Sequence, residues 1–99
     1  MIKHMKDLTE QEKLAFYESV KKSYEEQYHI PWSVIKAMIQ QEIDDAFDDA
    51  KFAKLPADQQ NDAAYARKEF GRNKPSMTDY LLWSVRFATH SDTVELPDA

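Results

Sequence analysis

The single glycine of this chain, Gly71, constrains its fold more than any other feature of the sequence. All-β domains turn tightly at short intervals and use glycine and proline at those turns, whereas these 99 residues contain one Gly and four Pro. Strand-favouring β-branched residues are sparse beside Ala, Glu, Gln, Lys and Asp, so the composition favours helices. A chain of this length buries one modest core. We therefore predict an all-α fold, a compact single-domain bundle of about four helices over residues 1–99.

Capping signals and proline positions place these helices. Thr9 and Glu12 form a capping-box pattern, and Pro31 and Pro56 suit the first turn of a helix. The predicted helices are Glu10–Tyr28, Pro31 to about Ala53, Pro56 to a stop at Gly71, and a last one that is capped by Ser76 or Thr78 and continues to about His90. We expect an ordered core over about residues 9–90, with loose N-terminal residues and a loose acidic tail.

Apolar residues recur at three- and four-residue steps in each helix and predict its buried face. The second and last helices have the most continuous apolar faces, so we expect them to supply most of the core. The predicted core residues are Leu14, Tyr17, Val20, Tyr24 and Tyr28; Ile35, Met38, Ile39, Ile43, Ala46, Phe47 and Ala50; Ala57, Ala64 and Phe70; and Tyr80, Leu81, Leu82, Trp83, Val85, Phe87 and Ala88.

Charge and composition exclude several classes of function. The net charge of −5 and the pI of about 5.1 disfavour a protein that binds nucleic acid by neutralising phosphates, and they favour a partner with a basic surface. The absence of Cys excludes thiolate catalysis and cysteine-based zinc sites. No apolar run has membrane-spanning length and the N-terminus lacks the apolar core of a secretory signal, so we expect a cytoplasmic protein without cofactors.

The stretch EIDDAFDDA, residues 42–50, concentrates five carboxylates within eight positions. On one continuous helix these acids would lie three or four residues apart, and each like-charge pair would cost roughly 0.2–0.5 kcal/mol. They would also lie near the C-terminus of the second helix, where the helix dipole disfavours anions. Internal bases, a metal or a partner must offset this cost. The acidic residues are Glu42, Asp44, Asp45, Asp48 and Asp49, and the nearest internal bases are Lys51, Lys54, Arg67, Lys68, Arg72 and Lys74.

Two interpretations of the acidic stretch remain open. In one, it is a solvated face that the internal bases partly neutralise. In the other, the chain is a non-enzymatic binding protein that engages a basic partner, or a second copy of itself, through these five acids together with Asp92 and Glu95. The small acidic helical format is similar to that of adaptor, antitoxin-like and phage- or mobile-element-encoded inhibitor proteins. We therefore favour the binding protein as the functional hypothesis.

The letters DDAFD, residues 44–48, resemble the aspartate-rich DDxxD motif of prenyl-diphosphate synthases. That resemblance implies magnesium held against a diphosphate by Asp44, Asp45 and Asp48. Those enzymes need a large helical bundle and a second such motif, and this chain has neither. We therefore predict no metal site here.

The segment YHIPWSVIKAMIQQE, residues 28–42, resembles the start of the catalytic helix of lytic transglycosylases and goose-type lysozymes. The resemblance implies that Glu42 is a general acid in glycan cleavage and that Gln41 positions it. The chain departs from the family pattern at His29, where the family has glycine, and at Ile43, where it has serine. This alternative requires at least an activity that is lost in Glu42→Gln. A concave cleft around Glu42 would favour it, whereas a convex acidic ridge would favour the binding protein.

The same region resembles a helix-turn-helix, in which two helices are joined by the short turn HIP. This resemblance implies that Trp32, Ser33 and Lys36 read the major groove of DNA. Because Lys36 is the only base before the acidic residues of that helix, direct binding of nucleic acid is a less favoured alternative.

Overall fold

The computed structural model describes residues 1–96 and confirms the all-α prediction, since helices form a compact bundle with one small sheet. Within these residues, no helix combines the length and the apolar character needed to span a membrane. A short 3-10 turn, Met5–Asp7, follows the first strand. The elements are β1 Ile2–His4, α1 Glu10–Tyr28, α2 Trp32–Ala46, α3 Asp49–Ala53, α4 Ala57–Phe70, α5 Met77–Thr89 and β2 Thr93–Glu95.

Helix α1 begins and ends at the residues that the sequence indicates. The Thr9 hydroxyl accepts from the Glu12 backbone N–H, and the Glu12 carboxylate accepts from the Thr9 backbone N–H, which completes the predicted capping box. A 2.6 Å hydrogen bond from Lys3 Nζ lowers the pKa of Glu12. At the other end His29 adopts a left-handed conformation, with φ of 57°, and its N–H closes the last turn on Glu25. The turn to α2 follows immediately.

Trp32 fixes the angle between α1 and α2. Its indole N–H donates to the Tyr17 hydroxyl at 3.0 Å, and its backbone N–H donates to the Glu25 carboxylate at 3.2 Å. Its ring meets Tyr17 edge-on and stacks against Tyr24, and only 7% of the residue is exposed. Pro31 supplies no side-chain cap to α2, so Glu25 performs that role from the preceding helix.

The core consists of two apolar clusters, and α5 contributes to both. One gathers Leu8, Phe16, Trp32, Ile35, Leu81, Leu82, Val94 and Leu96, and the other Ile43, Ala66 and Tyr80. Ile39 and Met77 pack against both clusters. Burial differs from the prediction at several positions, because Phe16, Ala63 and Ala66 are buried, whereas Leu14, Tyr28, Met38, Ala50, Ala57, Ala64, Phe87 and Ala88 are exposed.

The prediction of one helix from Pro31 to Ala53 is wrong, because α2 ends at Ala46 and a five-residue helix, α3, begins at Asp49. Between them Asp48 is extended, with φ of −110° and ψ of 121°, and its carboxylate accepts from the Lys51 backbone N–H at 3.0 Å. Aspartate is a strong N-cap and a weak helix-interior residue, so the chain uses Asp48 to start a second helix.

The two ends of the described chain are paired, which corrects the expectation that both are loose. β1 and β2 form an antiparallel pair in which Lys3 lies opposite Val94. Val94 and Leu96 are 5% and 4% exposed and belong to the larger cluster, so burial of these side chains holds the sheet against the bundle. The last part of the predicted tail, residues 97–99, lies outside the described residues.

We predict that Trp32→Ala lowers the free energy of unfolding by about 3–5 kcal/mol, because it removes a buried indole and its hydrogen bond to the Tyr17 hydroxyl. Tyr17→Phe, which leaves the indole N–H without its acceptor, costs about 1–3 kcal/mol. Chemical denaturation followed by circular dichroism measures both values. Val34→Ala, at an exposed position of the same helix, is the control and changes stability by less than about 0.5 kcal/mol. A Trp32→Ala cost as small as that of the control would contradict this role for Trp32.

Candidate functional site

The last two carboxylates of the acidic stretch stabilise the start of α3. Asp48 caps the helix, and Asp49 lies in its first turn, where the helix dipole favours an anion. Asp49 also accepts a 2.8 Å hydrogen bond from Arg67 Nη1, while Arg67 Nε donates to the Ala46 carbonyl at 2.6 Å. The same guanidinium lies 4.3 Å from the centre of the Phe52 ring. These two acids therefore have structural roles inside the chain.

Asp44 and Asp45, at the end of α2, also have partners within the chain. Asp44 forms an ion pair with Lys74 and accepts from Gln40 Nε2 at 3.2 Å, and the hydrogen bond from Lys74 lowers the pKa of Asp44. Asp45 accepts from Gln41 Nε2 at 2.8 Å and lies 4.0 Å from Lys51 Nζ. The break after Ala46 separates these acids from the next two, so the five carboxylates do not form one continuous helical surface.

Glu42 differs from the other four acids, because no base within residues 1–96 pairs with it. It lines an open groove of about 540 Å³ between α2 and α4, which the end of α1 and part of α5 complete. Three acids, three tyrosines, two amides and seven apolar residues line this groove, and none of its described lining residues is Lys, Arg or His. The lining residues are Glu42, Asp45 and Asp62; Tyr24, Tyr28 and Tyr80; Gln41 and Gln59; and Ile30, Ile35, Met38, Ile39, Ala46, Leu55 and Ala63.

The local environment raises the pKa of Glu42 above its ordinary value of 4.5. Glu42 is exposed as a whole residue, yet the groove lining removes water from its carboxylate. This burial is the largest cause of the raised pKa. The negative charge of Asp62 adds to the rise, and a hydrogen bond from the Tyr80 hydroxyl opposes it. Burial and the charge of Glu42 in turn raise the pKa of Tyr80. The groove therefore carries negative charge that the protein leaves uncompensated.

Helical spacing brings the groove residues together. Met38, Glu42 and Asp45 occur at steps of four and three on α2, while Gln59 and Asp62 lie three apart on α4. Ala63 is buried next to Asp62, and its small side chain leaves room between the two helices. Tyr80 enters from α5, where it belongs to the cluster of Ile43 and Ala66. Together with Tyr24 and Tyr28 at the end of α1, four helices thus build one site.

Sequence analysis identified Glu42 and Asp45 but missed Asp62 and the tyrosines as parts of one site. The available signals were the four-residue spacing of Tyr24 and Tyr28 at the end of α1 and an acid beside the alanine face of α4. Asp92 and Glu95 do not join the groove. Asp92 lies 4.0 Å from Arg86, and Glu95 lines a different groove between α1, α5 and β2.

The structure also bears on the two resemblances that involve DNA and metal. Trp32 is buried, so it is not available to read DNA, although Ser33 and Lys36 are exposed. The DDxxD-like aspartates lie on different elements, with Asp48 beyond the end of α2. In the part of the chain that the structure describes, no group of three or more His, Asp or Glu side chains is placed to hold a metal ion.

We predict that Glu42 titrates above 4.5, while Asp44 titrates below its ordinary value of 3.8. Carbon-13 NMR of the carboxyl groups measures both. Asp62→Asn lowers the pKa of Glu42 because it removes a neighbouring negative charge, and Tyr80→Phe raises it because it removes a stabilising hydrogen bond. A Glu42 that titrates at or below 4.5 would contradict the description of the groove.

The same pKa shift has a consequence for stability. A carboxyl whose pKa is raised by folding stabilises the folded state below its unfolded pKa and loses that contribution as the pH rises through its folded pKa. Glu42→Gln removes this dependence. The stability of the variant relative to the native chain should therefore increase as the pH rises above 4.5, which denaturation at several pH values measures.

Comparison with protein-family models, with curated protein sequences and with solved structures finds no match for this chain.

Proposed function

We propose that this chain is a non-enzymatic binding protein, of the adaptor or inhibitor kind, that engages a basic surface of another protein through the groove around Glu42. The observation that carries the proposal is a carboxylate without a basic partner, in a groove whose described lining contains three acids and no cation. A lysine or arginine of a partner would supply the missing positive charge. The proposal includes a cytoplasmic location for the protein.

The proposed surface differs from the one that the acidic stretch alone indicated. Asp44, Asp48 and Asp49 have partners inside the chain, so a basic protein would have to compete with Lys74, the α3 backbone and Arg67 for them. Glu42 and Asp62 have no such competitors among the described bases. We therefore assign the main electrostatic role in binding to these two residues.

The apolar lining supports a protein partner over a free cation. Tyr28 and Met38 are 55% and 64% exposed, and Ile30 and Tyr24 lie beside them in the groove. Burying such side chains stabilises a complex by roughly 25 cal/mol per Å² of apolar surface before the costs of association. A partner with both apolar and basic side chains would use both parts of the lining.

The groove around Glu42 is concave, which favours the glycan-cleaving alternative over the convex acidic ridge expected of the binding protein, and a glutamate whose pKa is raised also suits a general acid. The departures from the family pattern at His29 and Ile43, near either end of the matched segment, count against that alternative. The residues that resemble the lysozyme-like families end at Glu42. We therefore favour binding over catalysis.

The first test is affinity capture from the source cells, followed by calorimetry with the purified captured protein. We expect a basic protein whose binding weakens at least tenfold in the double variant Glu42→Gln/Asp62→Asn. Affinity should also fall as salt shortens the Debye length from about 10 Å at 0.1 M to about 3 Å at 1 M. The double variant Asp7→Asn/Glu18→Gln is the matched control, because it removes one Asp and one Glu from exposed positions outside the groove.

Equal affinity of both double variants for the captured protein would contradict the proposal. Capture of the chain itself would show that the bases lie on a second copy. Lys68 and Arg72 are the candidates in that case, since both are exposed and neither has an ion-pair partner within residues 1–96. The same pair of variants then tests self-association by analytical ultracentrifugation.

A further inference from the structure

The groove has the form of an incomplete helix bundle. Helices α2 and α4 are in contact where Ile43 packs with Ala66 and where Arg67 donates to the Ala46 carbonyl. Other turns of the same two helices, which carry Met38 and Glu42 on α2 and Gln59 and Asp62 on α4, instead line the groove. Its volume of about 540 Å³ lies within the range of roughly 300–1,000 Å³ that is typical of binding clefts. The walls are helical, and the space between them is open.

The chemistry of the groove changes from its apolar lining to its acidic walls. Ile39 and Ala63 supply apolar lining, while Glu42 and Asp45 lie on the α2 wall and Asp62 on the α4 wall. Acids on both walls are complementary to a ligand that has an apolar stripe with cations on each side of it. Tyr24 and Tyr28 add aromatic rings, against which lysine or arginine side chains pack favourably.

The fold favours a helical ligand over an extended one. An extended peptide that binds by strand addition needs an open sheet edge. The two strands of the described chain, residues 2–4 and 93–95, do not line this groove. A space between two helices is filled by the side-chain ridges of a third helix, as in any helical bundle.

From this combination we infer that the groove binds a basic amphipathic helix of the partner protein, with its apolar stripe on Met38 and Ile39 and its cations against Glu42 and Asp62. The inference rests on the proposed function and specifies the partner. The mode of binding is helix-in-groove, in which apolar anchors recur at three- and four-residue steps along the ligand. Met38 then contacts the ligand from the α2 wall, which explains why a large apolar side chain is exposed there.

Three synthetic peptides test the inference by amide chemical shifts of the full isotope-labelled chain. The first contains Leu and Lys patterned as an amphipathic helix of about 14 residues, or about four turns. The second has the same composition in an order that spreads Leu around the helix, and the third replaces Lys by Glu in the first pattern. We expect saturable shifts at residues 38–46 and 59–63 with the first peptide, at least tenfold weaker binding of the second, and no binding of the third.

Matched variants locate the binding site on the protein. Met38→Lys puts a cation on the groove wall at an exposed position, so the fold tolerates it and binding of the first peptide falls at least tenfold. Gln11→Lys adds the same charge at an exposed position of α1 and leaves binding unchanged. The spectra of the free variants show directly whether each one is folded.

The outcomes separate this inference from the proposed function. Equal binding of both basic peptides in the groove would overturn the helical ligand and leave the basic partner in place. The helical ligand is also overturned, and the basic partner kept, if no peptide shifts the groove amides while binding of the captured protein still requires Glu42 and Asp62. If substitution of Glu42 and Asp62 changes neither the binding of the peptide nor the binding of the captured protein, the inference and the proposed function are overturned together.

Discussion

The Trp32 side chain is the contact on which the rest of the structure depends. Its indole N–H donates to the Tyr17 hydroxyl and its ring stacks on Tyr24, while the backbone N–H of Trp32 donates to the Glu25 carboxylate, within three residues of the left-handed end of α1. This contact directs α2 across the larger core cluster, and it holds Tyr24 beside Glu42 in the groove. A residue that the helix-turn-helix alternative assigned to DNA recognition therefore acts from inside the core.

The concentration of acid in residues 42–50 has a structural explanation that differs for each part of the stretch. Asp48 ends the continuity of α2 and starts α3, and Asp49 connects α3 to Arg67 of α4. Asp44 and Asp45 lie near bases, while Glu42 faces the groove without one. The repulsion expected for one continuous helix is reduced because the chain turns between the two groups of acids. The negative charge that no nearby base offsets lies at Glu42 and Asp62.

Local signals in the sequence predicted the helices well, whereas features that depend on contacts between distant residues were not predicted. The Thr9 and Glu12 capping box forms as predicted, and Ser76, one of the two candidate caps, caps α5. Helix α4 ends at Gly71 as predicted, with a positive φ of 68°, but its ψ of −137° lies outside the left-handed helical conformation that was expected. All of these signals are encoded within one turn. The break at Asp48 was missed because its spacing also fits a helix interior, and part of what supports the break comes from Arg67 in another helix. The sheet was missed because its three-residue strands come from opposite ends of the chain. The groove itself was not predicted: Glu42 and Asp45 stood out by charge, whereas Asp62 and Tyr80 join them only through tertiary packing.

Uncompensated negative charge lies in the groove and not along the whole acidic stretch. Amide proton relaxation in the presence of small cationic or anionic nitroxides measures the potential near each residue without any partner. We expect the cationic probe to be enriched most at amides around Glu42 and Asp62, and less at Asp48 and Asp49, where Arg67 and the start of α3 offset the charge. A potential that is most negative at Asp48 and Asp49, or neutral in the groove, would contradict it.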